Sequence, residues 1–302
     1  MTDSQLNRQP DLLCIGAMLW DVIGRSSRVM AHGNDMPGRI AHIPGGVALN
    51  VALAVARWGL RPAILSAVGR DSEGEALIAA ARNNGVLTEH LCREGGPTDV
   101  YMAIEDANGL IAAIADAHSL EDAGDMILGP IRDGRLASAE RPWRGVAVID
   151  GNLTTEQLTR IATEPGLVSA DLRIVPASPG KAERLAPLIG AAQGCFYLNR
   201  YEAEILAGRE LGDAAQAAQA MLDRGMHRVI VTDGGNQVAD GLAGDAIIRA
   251  TPPCVAIARV TGAGDSFLAA HLAAERDRAD RETALHRATE AAAAHVSGKD
   301  MP

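Results

Sequence analysis

Short apolar runs alternate with alanine-rich helical stretches along most of this 302-residue chain. Continuous apolar runs are typical of strands buried on both faces, and strand–helix repetition predicts a parallel sheet covered by helices. The predicted strands are Leu12–Ala17, Ala63–Val68, Val146–Ile149, Leu167–Ala170, Gly194–Leu198 and Arg228–Thr232. The predicted helices are Val47–Trp58, Glu73–Asn83, Thr155–Thr163, Pro179–Leu188, Tyr201–Ala207, Asp213–Arg224, Ala263–Arg276 and Arg281–His295. Such a sheet binds ligands at the carboxyl ends of its strands, so we expect functional residues just after strands.

The length is compatible with two domains or with one large α/β domain. With 47% hydrophobic and 22% charged residues, the chain can bury a sizeable core, which excludes disordered and fibrous classes. The net charge of −10, with no basic cluster and only eight aromatic residues, argues against nucleic acid as a partner. We therefore expect an acidic, soluble protein.

The four cysteines, Cys14, Cys92, Cys195 and Cys254, are far apart and form no CxxC pair. This spacing predicts neither a zinc site nor a disulfide framework, and it favours reduced thiols. The N-terminus lacks the basic region and apolar run of a signal peptide, and no window approaches the ~18 apolar residues of a membrane span. We expect a cytoplasmic protein without a membrane partner.

Two segments, Val22–Ile43 and Thr98–Ala117, break the strand–helix alternation. In the second, Val100–Glu105 and Leu110–Ala115 flank the turn sequence Asp106–Gly109, which predicts a β-hairpin. Both segments are too small for a core of their own, so they must pack on each other or on a second subunit. A lid over a binding site and ordinary edge strands both fit this pattern.

The strongest local motif is Thr261-Gly262-Ala263-Gly264-Asp265, which opens an apolar helix. Glycines allow a close backbone approach, and the free N–H groups of a helix N-terminus suit phosphoryl oxygens. An aspartate would repel those anions, unless its carboxylate takes a proton from a hydroxyl that attacks the phosphate. The alternative is an ordinary helix start, in which an Asp caps the helix after a glycine turn.

Other polar residues occupy comparable positions. Gly45 and Gly46 open a second helix, and Asn50 falls on its first turn, where an amide can reach a polar ligand. Asp21 follows the first predicted strand, although an aspartate there is also common in turns.

These elements, in this order and over nearly the whole chain, resemble the ribokinase-like (PfkB) carbohydrate kinase family. The specific combination is Thr-Gly-Ala-Gly-Asp with an upstream Gly-Gly-x-x-x-Asn. The resemblance implies a single three-layer α/β domain over residues 1–302, with a mostly parallel sheet and a small β-sheet lid formed by residues about 22–45 and 97–118. It makes Asp265 the catalytic base and gives the amides of Gly262, Ala263 and Gly264 to the anion hole. Sugar hydroxyls would be held by Asp21, Gly45, Gly46 and Asn50.

The resemblance also implies ATP and Mg²⁺. Asn199-Arg200-Tyr201-Glu202 is similar to the family's Asn-x-x-Glu motif, in which Glu202 would help to place the metal indirectly; taken alone, the same residues read as a capping box. Thr232 and Gly234 match the strand and loop that shape the ATP site. Lys181 would either reach the ATP phosphates or be a solvated lysine at a helix start.

Within the family, four stretches are most similar to pseudouridine kinases. They are Tyr101–Ile104, Ala113–Asp116, Asp150–Leu153 and Val175–Ala182. The implied reaction is transfer of the ATP γ-phosphoryl group to the 5′-hydroxyl of pseudouridine. Ribose, fructose, adenosine or inosine as acceptor, and a non-catalytic nucleoside or nucleotide sensor, stay open. The exposed strand edges suggest a homodimer through the lid.

Two positions depart from the family pattern. Arg259 stands where the family often has an aspartate of a monovalent-cation site, which puts potassium activation in doubt. Gln237 stands where the ATP loop often has a glycine, so we expect this loop to differ in shape from the family's.

Overall fold

The computed structural model describes residues 9–190 and 194–299. Its strands are β1 (Leu12–Ile15), β2 (Leu19–Arg25), β3 (Arg39–Gly45), β4 (Pro62–Leu65), β5 (Val100–Asp106), β6 (Gly109–Asp116), β7 (Val146–Asp150), β8 (Asp171–Val175), β9 (Cys195–Asn199), β10 (Arg228–Thr232), β11 (Val238–Leu242) and β12 (Ile248–Ala250). Its α-helices are α1 (Val47–Arg57), α2 (Ser72–Asn83), α3 (His118–Ala123), α4 (Thr155–Ala162), α5 (Arg200–Ala207), α6 (Ala214–Asp223), α7 (Ala263–Arg276) and α8 (Arg281–Val296). Short 3-10 helices cover Gly124–Ile131, Pro165–Leu167 and Pro179–Leu188.

The main sheet has eight strands in the order β12-β11-β10-β9-β8-β7-β1-β4. Six neighbouring strands of this sheet, in the order β10-β9-β8-β7-β1-β4, are parallel. Strands β11 and β12 add an antiparallel edge. The carboxyl ends of the parallel strands therefore share one edge of the sheet, where the chain enters α1 by way of β2 and β3 and enters α5 directly. The mostly parallel sheet predicted from the sequence is confirmed.

Helices cover both faces of this sheet. Leu13 and Ile15 of β1 pack in the cluster that includes the apolar residues of α4, α5 and α6. Leu12 and Cys14, which alternate with them, pack in the cluster that includes those of α1, α2, α7 and α8. This double burial explains why the strands are apolar throughout.

A second sheet has four strands in the order β3-β2-β5-β6. The predicted hairpin is present as β5 and β6, and β5 pairs in parallel with β2. The two segments that break the alternation thus pack on each other.

Among the described residues no helix is long and apolar enough to cross a bilayer, and the four cysteines are free thiols. Residues 1–8, on which the expectation of no signal peptide partly rests, lie outside the described residues.

One predicted strand is wrong, and one predicted helix is of the 3-10 type. Leu167–Ala170 is not a strand, because Pro165 and Gly166 enter a 3-10 turn capped by Glu164, and the strand starts only at Asp171. The strand β8 was missed because it contains a charged residue, Arg173, which is nevertheless buried at 6% exposure. The segment 179–188, predicted as a helix, is a 3-10 helix with Pro187 inside it.

Candidate active site

The N-terminus of α7 carries the glycine motif. Gly262 lies at φ +86°, a left-handed conformation that favours glycine, and no side chain caps the helix. The Ala263 N–H donates to Val260 O, so this amide is used within the turn. In the described part of the chain the amides of Gly264 and Asp265 have no such acceptor, and they are the donors left for an anion.

Asp265 is half-buried on the first turn of α7, and the Asn50 side chain hydrogen-bonds to it from α1. Burial raises the pKa of Asp265 to about 7; the negative charge of Asp150 adds to this increase, and the Asn50 hydrogen bond opposes it. A carboxyl group with that pKa can accept a proton near neutral pH. The structure therefore brings together two residues that the sequence analysis singled out separately.

The turn into α1 depends on two glycines. Gly46 lies at φ +91°, and a Cβ there would be 2.5 Å from Ala17 O, so close packing and conformation both require glycine. A Cβ on Gly45 would lie 2.7 Å from Asp21 Oδ1 and closer still to Oδ2. The Asp21 carboxylate thus lies over Gly45, at the mouth of α1, and burial raises its pKa to about 6.

Asp150, at the carboxyl end of β7, is a site residue that the sequence analysis did not single out. It is 0% exposed, and its carboxylate accepts hydrogen bonds from Ala17 N and Ala48 N. The signal available in the sequence was its position directly after a buried strand, where the sheet rule favours polar contacts.

The Asn199 motif forms the capping box that its sequence permits. Glu202 N donates to Asn199 Oδ1, and Asn199 N donates to Glu202 Oε2, both at 2.8 Å. Burial raises the pKa of Glu202 to about 7. Thr232 pairs with Asn199 across β9 and β10, so both stand at the same edge, and Gly234 follows in an exposed loop at φ +57°.

Three further positions have defined partners. The Lys181 ammonium donates to Asn152 Oδ1 at 2.7 Å, so this half-buried lysine is held beside the end of β7. Gln237 donates to Thr251 Oγ1 at 3.4 Å. The Arg259 guanidinium contacts His295 O and His295 Nδ1 at 3.1 and 3.2 Å.

No group of three or more metal-binding side chains occurs among the described residues. Mg²⁺ commonly binds through one or two carboxylates, with phosphate oxygens and water completing its shell. The described residues offer no cage made of protein ligands alone, and such a magnesium site does not require one.

The N-terminus of α7 is uncapped and opened by glycine, and the Asp265 carboxyl group with its raised pKa lies on its first turn. An α/β protein with this arrangement belongs to the class that can hold an anion next to a base. More specifically, the chain belongs to the pfkB family of carbohydrate kinases, and the match spans residues 9–300. It is therefore a carbohydrate or nucleoside kinase, a phosphotransferase with a hydroxyl acceptor.

Known proteins similar to this chain include nucleoside and sugar kinases. The pseudouridine kinase of Escherichia coli strain K12 is 28% identical over 264 residues, which cover 85% of this chain and 81% of that protein. The ribokinase of Mus musculus is 26% identical over 268 residues, covering 86% and 80%. A carbohydrate kinase structure from Agrobacterium tumefaciens matches with a TM-score of 0.77 and 27% identity, covering 94% of this chain and 89% of that one.

Proposed function

We propose that this protein transfers the γ-phosphoryl group of ATP to the 5′-hydroxyl of pseudouridine. The observation that carries the proposal is the Asp265 carboxylate, which has a raised pKa, is bonded by Asn50 and lies on the uncapped first turn of α7. The similarity to a pseudouridine kinase over 85% of the chain supports the choice of acceptor.

In this proposal Asp265 accepts the proton of the 5′-hydroxyl as the oxygen attacks phosphorus and the bond to ADP breaks. The first-turn amides of α7 stabilise the charge on the transferring group. Asp21 and Asn50, together with the Gly45–Gly46 backbone, hold the ribose hydroxyls and keep the attacking oxygen in line.

The nucleotide would lie at the edge formed by β9 and β10. Asn199 and Thr232 are adjacent there, Gly234 allows the loop to approach the nucleotide closely, and Lys181 stands near the end of β7. Glu202 is the carboxylate proposed to contact Mg²⁺ through water. The metal would supply charge neutralisation on the phosphates.

We propose that the four-stranded sheet acts as the lid. Asp21 lies on its inner face, and strand register places Ile43 and Tyr101 directly beside Asp21 on the same face. These two side chains offer an apolar and an aromatic surface for a planar base, whereas a free sugar needs neither.

The outer face of this sheet supports a homodimer. Met102, Ile104 and Ile114 lie on it in register with Ile40, and their exposed fractions range from 40% to 74%. Such an apolar patch on a lid is suited to a second copy of the chain.

A second candidate acceptor is ribose, which is favoured by the similarity to mouse ribokinase. The test is magnesium-dependent ADP release with pseudouridine, uridine, adenosine, ribose and fructose. We expect selective turnover of pseudouridine; selective turnover of a sugar would keep the mechanism and refute the acceptor. Saturable nucleoside binding without any turnover would refute the kinase and favour a sensor.

The variant Asp265→Asn tests the mechanism. It should lose at least ~10²-fold in turnover while ATP affinity is kept, because only the proton acceptor is removed. Near-normal turnover would remove Asp265 from its role. Asp245→Asn, a change at an exposed loop aspartate that is paired with Arg281, is the matched control and should leave turnover unchanged.

A further inference from the structure

We propose that Asp150 is a positioning residue, which holds the β1–β2 turn and the N-terminus of α1 together beneath the acceptor site and places a second negative charge next to Asp265. This inference rests on the proposed role of Asp265 as the base. It assigns to Asp150 a function that neither the motif analysis nor the relatives assign.

The hydrogen bonds of Asp150 join three parts of the chain. Its Oδ2 accepts from Ala17 N at 2.9 Å, just after β1, and from Ala48 N at 3.1 Å, in the first turn of α1. Its Oδ1 accepts from Asn152 N at 2.7 Å and from Asn152 Nδ2 at 2.9 Å. The first segment leads to Asp21 and the second carries Asn50, so one buried carboxylate fixes the relative position of both proposed acceptor ligands.

The packing around Asp150 leaves no space for a side chain at position 16. Gly16 lies beside it, and a Cβ there would be 2.6 Å from Asp150 Oδ2 and closer to Asp150 Cβ. Gly16 also lies at φ +151°, a conformation that side chains disfavour. The first glycine after β1 is therefore needed by a protein carboxylate rather than by a ligand.

The partners of Asp150 suit an ionised carboxylate. Every contact named above comes from an N–H donor, and Ala48 belongs to a helix N-terminus, whose dipole favours negative charge. Burial raises the pKa of Asp150 above its ordinary value, and these donors oppose part of that increase. The titratable groups that face it are the Cys14 thiol on β1, the Asp265 carboxyl on α7 and the Lys181 ammonium, which is bonded to Asn152.

Two like charges in one partly buried region oppose each other's ionisation. The Asp150 charge raises the pKa of Asp265, second only to burial, so Asp150 helps to keep the base strong enough to take a proton near neutral pH. A residue with a merely structural role would stabilise the turn without affecting that pKa.

The first test is the pH profile of kcat/KM for Asp150→Asn with the substrate panel described above. Removing the charge should lower the pKa of Asp265 and so move the acidic limb of the profile to lower pH, by about half a pH unit or more. The amide also presents N–H groups to neighbouring donors, so the KM for the acceptor should rise about tenfold. A lower rate at every pH, with the limb unmoved, would overturn the proposal.

The control is Asp99→Asn. Asp99 is also a buried aspartate, 4% exposed, and it accepts from two backbone N–H groups, Ser119 N at 2.9 Å and Leu120 N at 3.2 Å. We expect this variant to lose stability with its limb in place. A limb that moved equally in both variants would also refute the assignment.

A second measurement requires neither turnover nor folding of Asp150→Asn. Because coupling between two sites is reciprocal, Asp265→Asn must lower the pKa of Asp150, as read from its carboxyl ¹³C resonance. The Asp99 resonance in the same spectra should titrate as in the native protein. An unchanged Asp150 would overturn the inference, whereas a shifted Asp150 in a protein that phosphorylates nothing would refute only the proposed function.

Discussion

The pKa of Asp265 predicts a steep pH dependence of turnover. Asp265 must be ionised to accept a proton, and burial, assisted by Asp150, raises its pKa from an ordinary value of 3.8 to about 7. About nine-tenths of the groups are then ionised at pH 8 and about one-tenth at pH 6. We expect kcat/KM to fall about tenfold over that interval and about tenfold more by pH 5. An aspartate at its ordinary value would give a flat profile over the same range.

The assay is initial-rate ADP release from pH 5 to 9, with ATP and Mg²⁺ saturating so that titration of the terminal phosphate does not contribute. Asp21 and Glu202 also have raised pKa values, about 6 and about 7, and need to be distinguished from Asp265. Asn50→Ala makes the distinction. Loss of its hydrogen bond should raise the pKa of Asp265 and so move the acidic limb of the pH profile to higher pH, independently of any change in the maximum rate. A flat profile between pH 6 and 8, or a limb that Asn50→Ala leaves in place, would refute the reasoning.

Three other predictions follow from contacts at the site and its lid. In Gly45→Ala the new Cβ displaces the Asp21 carboxylate, so the KM for the acceptor should rise at least ~10-fold while the KM for ATP is unchanged in steady-state assays. Tyr101→Ala should raise the KM for pseudouridine about tenfold and leave any turnover of ribose unaffected; equal losses for both acceptors would contradict a contact with the base. Arg259, whose guanidinium contacts His295, stands where the family resemblance implies an aspartate of a cation site, so turnover should agree within about twofold in sodium and in potassium. Strong activation by potassium alone would show that the cation binds despite the arginine.

Local chemistry at helix starts explains why the sequence predicted much of this site. Asp265 and Asn50 each fall on the first turn of a helix opened by glycine, and in a parallel α/β sheet such turns gather at one edge. Their neighbourhood was therefore predictable from topology, although their hydrogen bond was not. The apolar strands were equally clear, because burial on both faces leaves no polar positions in them.

The failures come from residues whose partners are distant in the sequence. Arg173 makes β8 read as a polar segment, yet its guanidinium is neutralised by Asp171 and by Glu275 on α7, and its Nη1 donates to the Tyr197 hydroxyl. Asp150 was not singled out as a site residue, because the amides that it binds are 133 and 102 residues away. Tertiary contacts of that kind leave no periodic pattern in the sequence.

The glycines around the site have a meaning that the motif alone does not give. Gly16 gives space to the Asp150 carboxylate and Gly45 to that of Asp21, while Gly46 gives space to the carbonyl of Ala17. Glycine near a phosphate site is usually attributed to close approach of the ligand, but here three of the glycines lie against the protein's own oxygen atoms. Two carboxylates are thus held by packing before any substrate binds, and a residue with a Cβ at Gly16 or Gly45 would displace one of them. The proposed acceptor half of the site is therefore preorganised by the chain itself, whereas the proposed anion-binding half has open space at Gly264, where nothing lies within 4 Å of a Cβ.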